Sequence, residues 1–256
     1  MLPELEWLDR LIPIARAAGV VVMEVYATEF AVTDKRDASP VTEADRRAEE
    51  LLEAALARLA PGLPIVSEEA TDAGRVPAVA ERFWLVDPLD GTREFIARNG
   101  EFTVNIALVE RGHAVLGVVL APAVGRLFAG VVGAGAFVED QAGRRTPLTC
   151  RRVPGTGLTV VSSRSHGDRE ALDAYLAGRL VAARVSIGSS LKFCLVASGE
   201  ADLYPRFGRT MEWDTAAGHA VLRAAGGQVV GLDGVELGYG KPGLVNPPFV
   251  ATGLQG

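Results

Sequence analysis

Cysteine, histidine and basic charge are all scarce in these 256 residues, and each shortage argues against a class of function. The two cysteines, Cys150 and Cys194, argue against a disulfide framework and suit a reducing compartment. Cys194 lies in an apolar segment, which marks it as a core residue rather than a nucleophile. A net charge of −6 leaves no basic field to hold a nucleic acid polymer or an anionic membrane. If the substrate is anionic, local groups and metal ions must attract it. No apolar run approaches the roughly 20 residues of a membrane span, so no integral membrane segment is expected. Acidic residues at 4, 6 and 9 interrupt any leader-like apolar region, and a cytoplasmic location is the expectation. Internal repeats and low-complexity tracts are also absent.

What is present is an ordinary globular composition, 48% hydrophobic and 23% charged, long enough for one large domain or two packed halves. Leu5, Leu8, Ile12, Ala15, Val22 and Tyr26 recur at helical spacing, which predicts an amphipathic first helix. Residues 31–41 read as a polar loop. A second helix follows, with Ala44, Ala48, Leu51 or Leu52, Ala55 and Leu59 on one face. Its start, Thr42-Glu43-Ala44-Asp45, has the spacing of a capping box. Asp45 is therefore a cap, a carboxylate that serves a site, or both.

Two short apolar strands then end in acids. Leu63 to Val66 runs into Ser67-Glu68-Glu69, and Phe83 to Val86 runs into Asp87-Pro88-Leu89-Asp90-Gly91-Thr92. Pro88 stiffens the second tip, and Gly91 tolerates backbone angles other residues avoid. Isolated, such a turn is usually just solvated. If the two strands are neighbours, however, Glu68, Asp87 and Asp90 converge and repel. A hard divalent cation relieves that repulsion. Free N–H groups at Gly91 and Thr92 suit phosphate oxygens. A metal-dependent phosphate site is the sharper reading.

Downstream, residues 102–110 and 114–121 form a predicted hairpin, and 133–138 continues the sheet, giving an α+β first half over residues 1–150. An Arg-, Pro- and Gly-containing stretch at 150–157 marks the junction. Residues 151–256 alternate strand and helix as an α/β half: strands at 158–161, 182–187, 201–204 and 228–232, helices at 168–180, 191–198 and 214–225. Asp214 opens the last helix in the position of an N-cap, worth roughly 1 kcal/mol. A metal ligand delivered from the second half is the alternative.

The ordered set Ser67-Glu68-Glu69, Asp87 to Thr92 and Trp213-Asp214-Thr215-Ala216-Ala217-Gly218 resembles the inositol monophosphatase superfamily along essentially the whole chain. Within it, Gly91 to Ile96, Arg98 to Leu108, Ser162 to His166, Ser186 to Val196 and Tyr204 to Gly208 look like the CysQ-type 3'(2'),5'-bisphosphate nucleotidases. Arg93 stands where many relatives are expected to carry lysine. The resemblance implies a layered αβαβα sandwich with the site between the halves. It implies Mg²⁺, two or three ions, held by Glu68, Asp87, Asp90 and Asp214 side chains and the Leu89 carbonyl, with Li⁺ inhibitory. The catalytic set it implies is Glu68, Thr92 and Asp45, and Gly91 and Thr92 take the scissile phosphate. Glu68, Leu89, Asp90 and Asp214 also border the substrate, with Ser190, Lys192 and Arg206 on a second phosphate and Ser165 and His166 toward the nucleoside. The implied reaction hydrolyses 3'-phosphoadenosine 5'-phosphate to AMP and phosphate with a metal-activated water, clearing a by-product of sulfate assimilation. That none of the three histidines falls in the acidic motifs suits this better than a phosphohistidine. Alternatives are an inositol, histidinol or sugar monophosphate phosphatase, or a non-catalytic metal- or nucleotide-binding regulator, which would be expected to lack one of the acids. Homodimerisation and loose peripheral membrane association are compatible with the resemblance.

Overall fold

The computed structural model describes residues 3–34, 40–165 and 168–254. Helix α1 (Pro3–Tyr26) buries Leu8, Leu11, Ile12, Ala15, Ala18 and Val22 along the predicted stripe. The stretch read as a loop instead holds two short antiparallel strands, β1 (Val32–Asp34) and β2 (Pro40–Thr42). A three-residue ladder rests on backbone hydrogen bonds and needs no apolar alternation, so the pattern does not reveal it. Helix α2 (Glu43–Leu59) begins with a full capping box: Thr42 accepts from Ala44 N–H at 3.2 Å, and Asp45 accepts from Thr42 N–H at 2.8 Å. Its buried stripe is Ala44, Ala48, Leu52, Leu56 and Leu59, so Leu56 takes the place expected of Ala55.

Strand β3 (Ile65–Ser67) leads into a five-residue helix, α3 (Glu68–Asp72), too short for periodicity to detect. Strand β4 (Arg82–Asp90) continues four residues past its expected end, and α4 (Thr92–Ile96) follows. Five strands complete the sheet as a meander: β5 (Thr103–Glu110), β6 (His113–Ala121), β7 (Arg126–Val131), β8 (Gly135–Glu139) and β9 (Arg145–Leu148). The spatial order is the chain order, antiparallel except for the β3–β4 pair.

The second sheet comes from β10 (Leu158–Ser163), β11 (Val181–Ile187), β12 (Leu203–Arg206), β14 (Gln228–Gly231) and β16 (Phe249–Thr252). The order is β11-β10-β12-β16-β14. β10 is parallel to β11 and β12, whereas β16 runs antiparallel to both its neighbours, so the layer is mixed rather than a pure α/β alternation. Helices α5 (Arg169–Leu176), α6 (Leu191–Ala197) and α7 (Ala216–Ala224) accompany it. A two-residue pair, β13 (Thr210–Met211) with β15 (Val245–Asn246), closes the approach to α7.

The layers follow from which faces are apolar. α1 and α2 bury their stripes on one face of the seven-stranded sheet, against Trp84, Val86, Ile106, Leu108, Val118 and Leu120. α6 and α7 fill the space between the two sheets, and this core draws residues from both halves, from Val66 to Ala251. Leu172, Tyr175 and Leu176 of α5 cover the far face of the second sheet, over Val160, Leu203 and Val250. The result is the αβαβα sandwich that the resemblance implied. Each fully buried Leu, Val or Phe in these layers contributes roughly 1.5–3 kcal/mol. Close contact of α7 with the first sheet depends on Gly117 of β6: a Cβ there would lie 2.2 Å from the Ala217 carbonyl oxygen. Among the described residues, no helix is long and apolar enough to cross a membrane.

Candidate active site

β3 and β4 are parallel neighbours, with Ser67 opposite Val86, so Glu68 and Asp87 leave adjacent strand ends together. Asp87 and Asp90 are three residues apart, and on a regular strand they would face opposite sides of the sheet. A bulge prevents this. On β5, Asn105 faces Asp87 and Thr103 faces Asp90, so two steps on β5 match three on β4. The extra residue returns both acids to one side, and Pro88 sits in the bulge, where a missing ladder N–H is tolerated. Gly91 then turns at φ 93°, in the left-handed region, and a Cβ there would press to 3.1 Å from the Glu101 carbonyl oxygen. Thr92 starts α4 immediately afterwards.

Asp45 is a cap and also reaches Thr92. Its Oδ2 closes the α2 cap, and its Oδ1 accepts from Thr92 Oγ1 at 3.4 Å, while the same hydroxyl lies 3.3 Å from the Leu89 carbonyl oxygen. Asp214 is not the N-cap of α7; Thr215 occupies that position. Asp214 accepts instead from Met211 N–H at 2.8 Å and turns into the cleft.

A cleft of about 370 Å³ gathers Glu68, Asp87, Leu89, Asp90, Gly91, Thr92 and Asp214 against Ser190, Lys192 and Arg206. Asp87 is buried, whereas Glu68, Asp90 and Asp214 keep a face open to the cleft. Burial first, then the charges of Glu68, Asp90 and Asp214, holds Asp87 well above the usual carboxylate range. Asp214 is raised by burial and by Asp90 and Glu68. Burial pushes Asp90 up to about 6, although Lys192 and the Ser190 N–H pull it down. These are acids crowded together with too little positive charge. Among the described residues no three His, Cys, Asp or Glu side chains are gathered closely enough to hold a metal ion by themselves. The oxygen-only donors border an open cleft, which suits a hard cation such as Mg²⁺, an ion usually shared between a few carboxylates, water and substrate phosphate.

Two cations of the second half, Lys192 and Arg206, lie inside the fold rather than in solvent. Lys192 is buried, donates to the carbonyls of Ser189 and Ile187, and is lowered by burial to about 8. Arg206 is also buried and donates to the Arg209 carbonyl at 3.0 Å. The Ser190 hydroxyl meets Asn105 and Thr103, and Ser165 donates to Glu94 at 2.5 Å. His166 lies outside the described residues.

A sequence profile of the inositol monophosphatase family matches residues 5–254. This chain belongs to the inositol monophosphatase family. Metal dependence is general among the inositol monophosphatases. The 3'(2'),5'-bisphosphate nucleotidase CysQ of Escherichia coli O157:H7 is 47% identical over 247 residues, covering 94% of this chain and 98% of that protein. In the crystal structure of CysQ from Bacteroides thetaiotaomicron the similarity is 37% identity at a TM-score of 0.83, with both chains covered completely. The inositol monophosphatase from Anabaena (Nostoc) sp. PCC 7120 superposes at a TM-score of 0.77 with 28% identity, over 97% of this chain and 90% of that one.

Glu94, Ser189, Tyr204, Arg209, Thr210 and Trp213 also line this inositol monophosphatase-family cleft, and the sequence reading assigned none of them a role there. Glu94, two residues past Thr92, and Arg209, three past Arg206, carried a spacing signal. Ser189 carried none, because its left-handed φ of 52° is set by the tertiary path into α6.

Proposed function

We propose that this protein is a Mg²⁺-dependent 3'(2'),5'-bisphosphate nucleotidase that converts 3'-phosphoadenosine 5'-phosphate to AMP and phosphate, with Li⁺ as an inhibitor and the cytoplasm as its place of action. The observation that carries the reading is one cleft in which acids from both halves face Lys192, Arg206 and Arg209. Kinship to CysQ-type nucleotidases over nearly the full chain supports the substrate class.

Glu68, Asp87, Asp90 and Asp214, with the Leu89 carbonyl, would hold the metal between residues 1–150 and 151–256. When bound, Mg²⁺ supplies charge neutralisation and a nucleophilic water at neutral pH. The N–H groups of Gly91 and Thr92, at the start of α4, receive the scissile phosphate. Thr92 Oγ1, anchored by Asp45, orients the attacking water, and Glu68 accepts its proton. Lys192, Arg206 and Arg209 face the second phosphate. Ser190 stands behind Asp90 rather than on the ligand, because its hydroxyl and its N–H are both engaged by protein groups. Ser165 holds Glu94 at the rim.

The test is phosphate release with Mg²⁺ from 3'-phosphoadenosine 5'-phosphate beside inositol 1-phosphate, histidinol phosphate and fructose 1,6-bisphosphate. Preference for the nucleotide is expected. Preference for a monoester would keep the metal site and overturn the role of the cations; no turnover of any substrate would favour a regulator.

A further inference from the structure

Three buried polar side chains sit behind the acid wall, and the proposed reaction uses none of them directly. Thr103 and Asn105 belong to β5, a strand whose other residues are apolar up to its terminal Glu110, and Ser190 precedes α6 in the second half. Their exposures are 0%, 1% and 2%. Buried hydroxyls and amides are costly unless paired, so apolar residues would fill these positions more cheaply.

Their pairing runs in one direction. The Ser190 hydroxyl donates to Asn105 Oδ1 at 2.8 Å. That uses its single proton, so the 2.9 Å contact with Thr103 Oγ1 must be a bond donated by Thr103. With its oxygen occupied, Asn105 turns its Nδ2 toward Asp90 Oδ2, at 3.4 Å. The reverse amide orientation would set an oxygen against a carboxylate. Ser190 N–H meets the same Oδ2 at 2.6 Å. Both bonds land on Oδ2, which leaves Oδ1 as the oxygen offered to the cleft.

We infer that Thr103, Asn105 and Ser190 are positioning residues that clamp Asp90 Oδ2 and so aim Oδ1 at the metal. The register explains the choice of strand: Thr103 and Asn105 are the cross-strand partners of Asp90 and Asp87 across the bulge. Because Ser190 comes from the other half of the chain, the clamp forms only when the two halves are packed together. It therefore ties correct assembly to a correctly aimed ligand.

The inference rests on the proposed metal site, and the test separates the two. Mn²⁺ is titrated into the full chain and followed by its electron paramagnetic resonance signal. Asn105→Leu is expected to weaken Mn²⁺ binding about 10- to 100-fold, the usual range for partners of metal ligands. Thr103→Val, which preserves shape, is expected to weaken it in the same direction by less, and Thr103→Ser to restore it. In turnover, the Mg²⁺ concentration for half-maximal rate rises while kcat at saturating Mg²⁺ stays near wild type. Unchanged Mn²⁺ affinity in Thr103→Val and in folded Asn105→Leu overturns the clamp, even if melting temperature falls. If Asn105→Leu does not fold, the Thr103 pair decides. A wild-type chain that holds no Mn²⁺ overturns the metal reading and the clamp with it.

Discussion

Two groups of sequestered carboxylates in this molecule behave in opposite ways. Asp202 is buried within the second half, yet it receives two bonds from the Arg151 guanidinium, each at 2.8 Å, and one from Thr159 N–H at 2.7 Å. Burial pushes it upward, but these donors outweigh burial and hold it below the usual carboxylate range. Asp87, Asp90 and Asp214 are instead raised, by burial first and then by neighbouring carboxylates. The first arrangement is complete within the protein. The second lacks such internal partners, and in the proposed function a bound cation supplies them.

Four measurements would break or sharpen that contrast. The largest effect is expected from Asp90→Asn. Losing a metal ligand removes several kcal/mol of charge stabilisation, about a thousandfold or more in phosphate release at ~1.4 kcal/mol per tenfold. Its circular dichroism should be unchanged, and added Mg²⁺ should no longer raise its melting temperature. Retained turnover would remove Asp90 from the ligand set.

Next comes Asp202→Ala. It strands a guanidinium and a backbone N–H, and urea unfolding should show a loss of about 2 kcal/mol, less than for a fully buried pair because Arg151 keeps contact with solvent. Turnover per folded molecule should hold, since Asp202 lies outside the cleft. A selective loss of activity would place it in the catalytic machinery.

The third is the pH dependence of the metal-free protein. Asp90 is raised from 3.8 to about 6 in the folded state, so the folded state binds the extra proton. The stability from this group is full below pH 4 and is lost as pH rises through 6. Between pH 4.5 and 6 the expected loss is about 1.5 kcal/mol, since the full slope of ~1.36 kcal/mol per pH unit fades as the folded group titrates. Asp202, depressed when folded, has the opposite sign: its contribution is present above pH 4 and disappears as pH falls through its folded pKa. Urea midpoints in a chelator should therefore peak in mild acid and drop toward neutrality, and Mg²⁺ should abolish the drop. A flat chelator profile would mean that the cleft acids are not crowded.

The smallest effect is expected from Lys192→Ala. KM for the bisphosphate should rise about tenfold, equivalent to roughly 1.4 kcal/mol, with small monophosphates largely spared. Equal losses on both substrate types would mean that Lys192 serves Asp90 rather than a second phosphate.

The legible parts of this protein were those written in local chemistry. The α1 and α2 stripes and the acid-loaded strand tips could be read from spacing, because periodicity reports which face a segment buries. The capping box at Thr42 could be read for the same kind of reason: its groups are three residues apart. The two-residue strands β13 and β15 and the short helix α3 could not be read, being shorter than any period. Strand β16 was missed because its place between β12 and β14 depends on partners found elsewhere in the chain.

By itself, then, the sequence determined the kind of chemistry: hard oxygen donors on stiff strand ends, beside amides suited to phosphate. Only the tertiary structure decided their arrangement. The bulge at Asp87 to Asp90 turned two acids to one face, and the parallel β3–β4 pair set Glu68 beside them. The close seat of α7 on Gly117 accompanies delivery of Asp214 from the other half. The burial of Lys192 and Arg206 was likewise decided by tertiary structure: burial is a property of what packs around a residue, and no local pattern carries it.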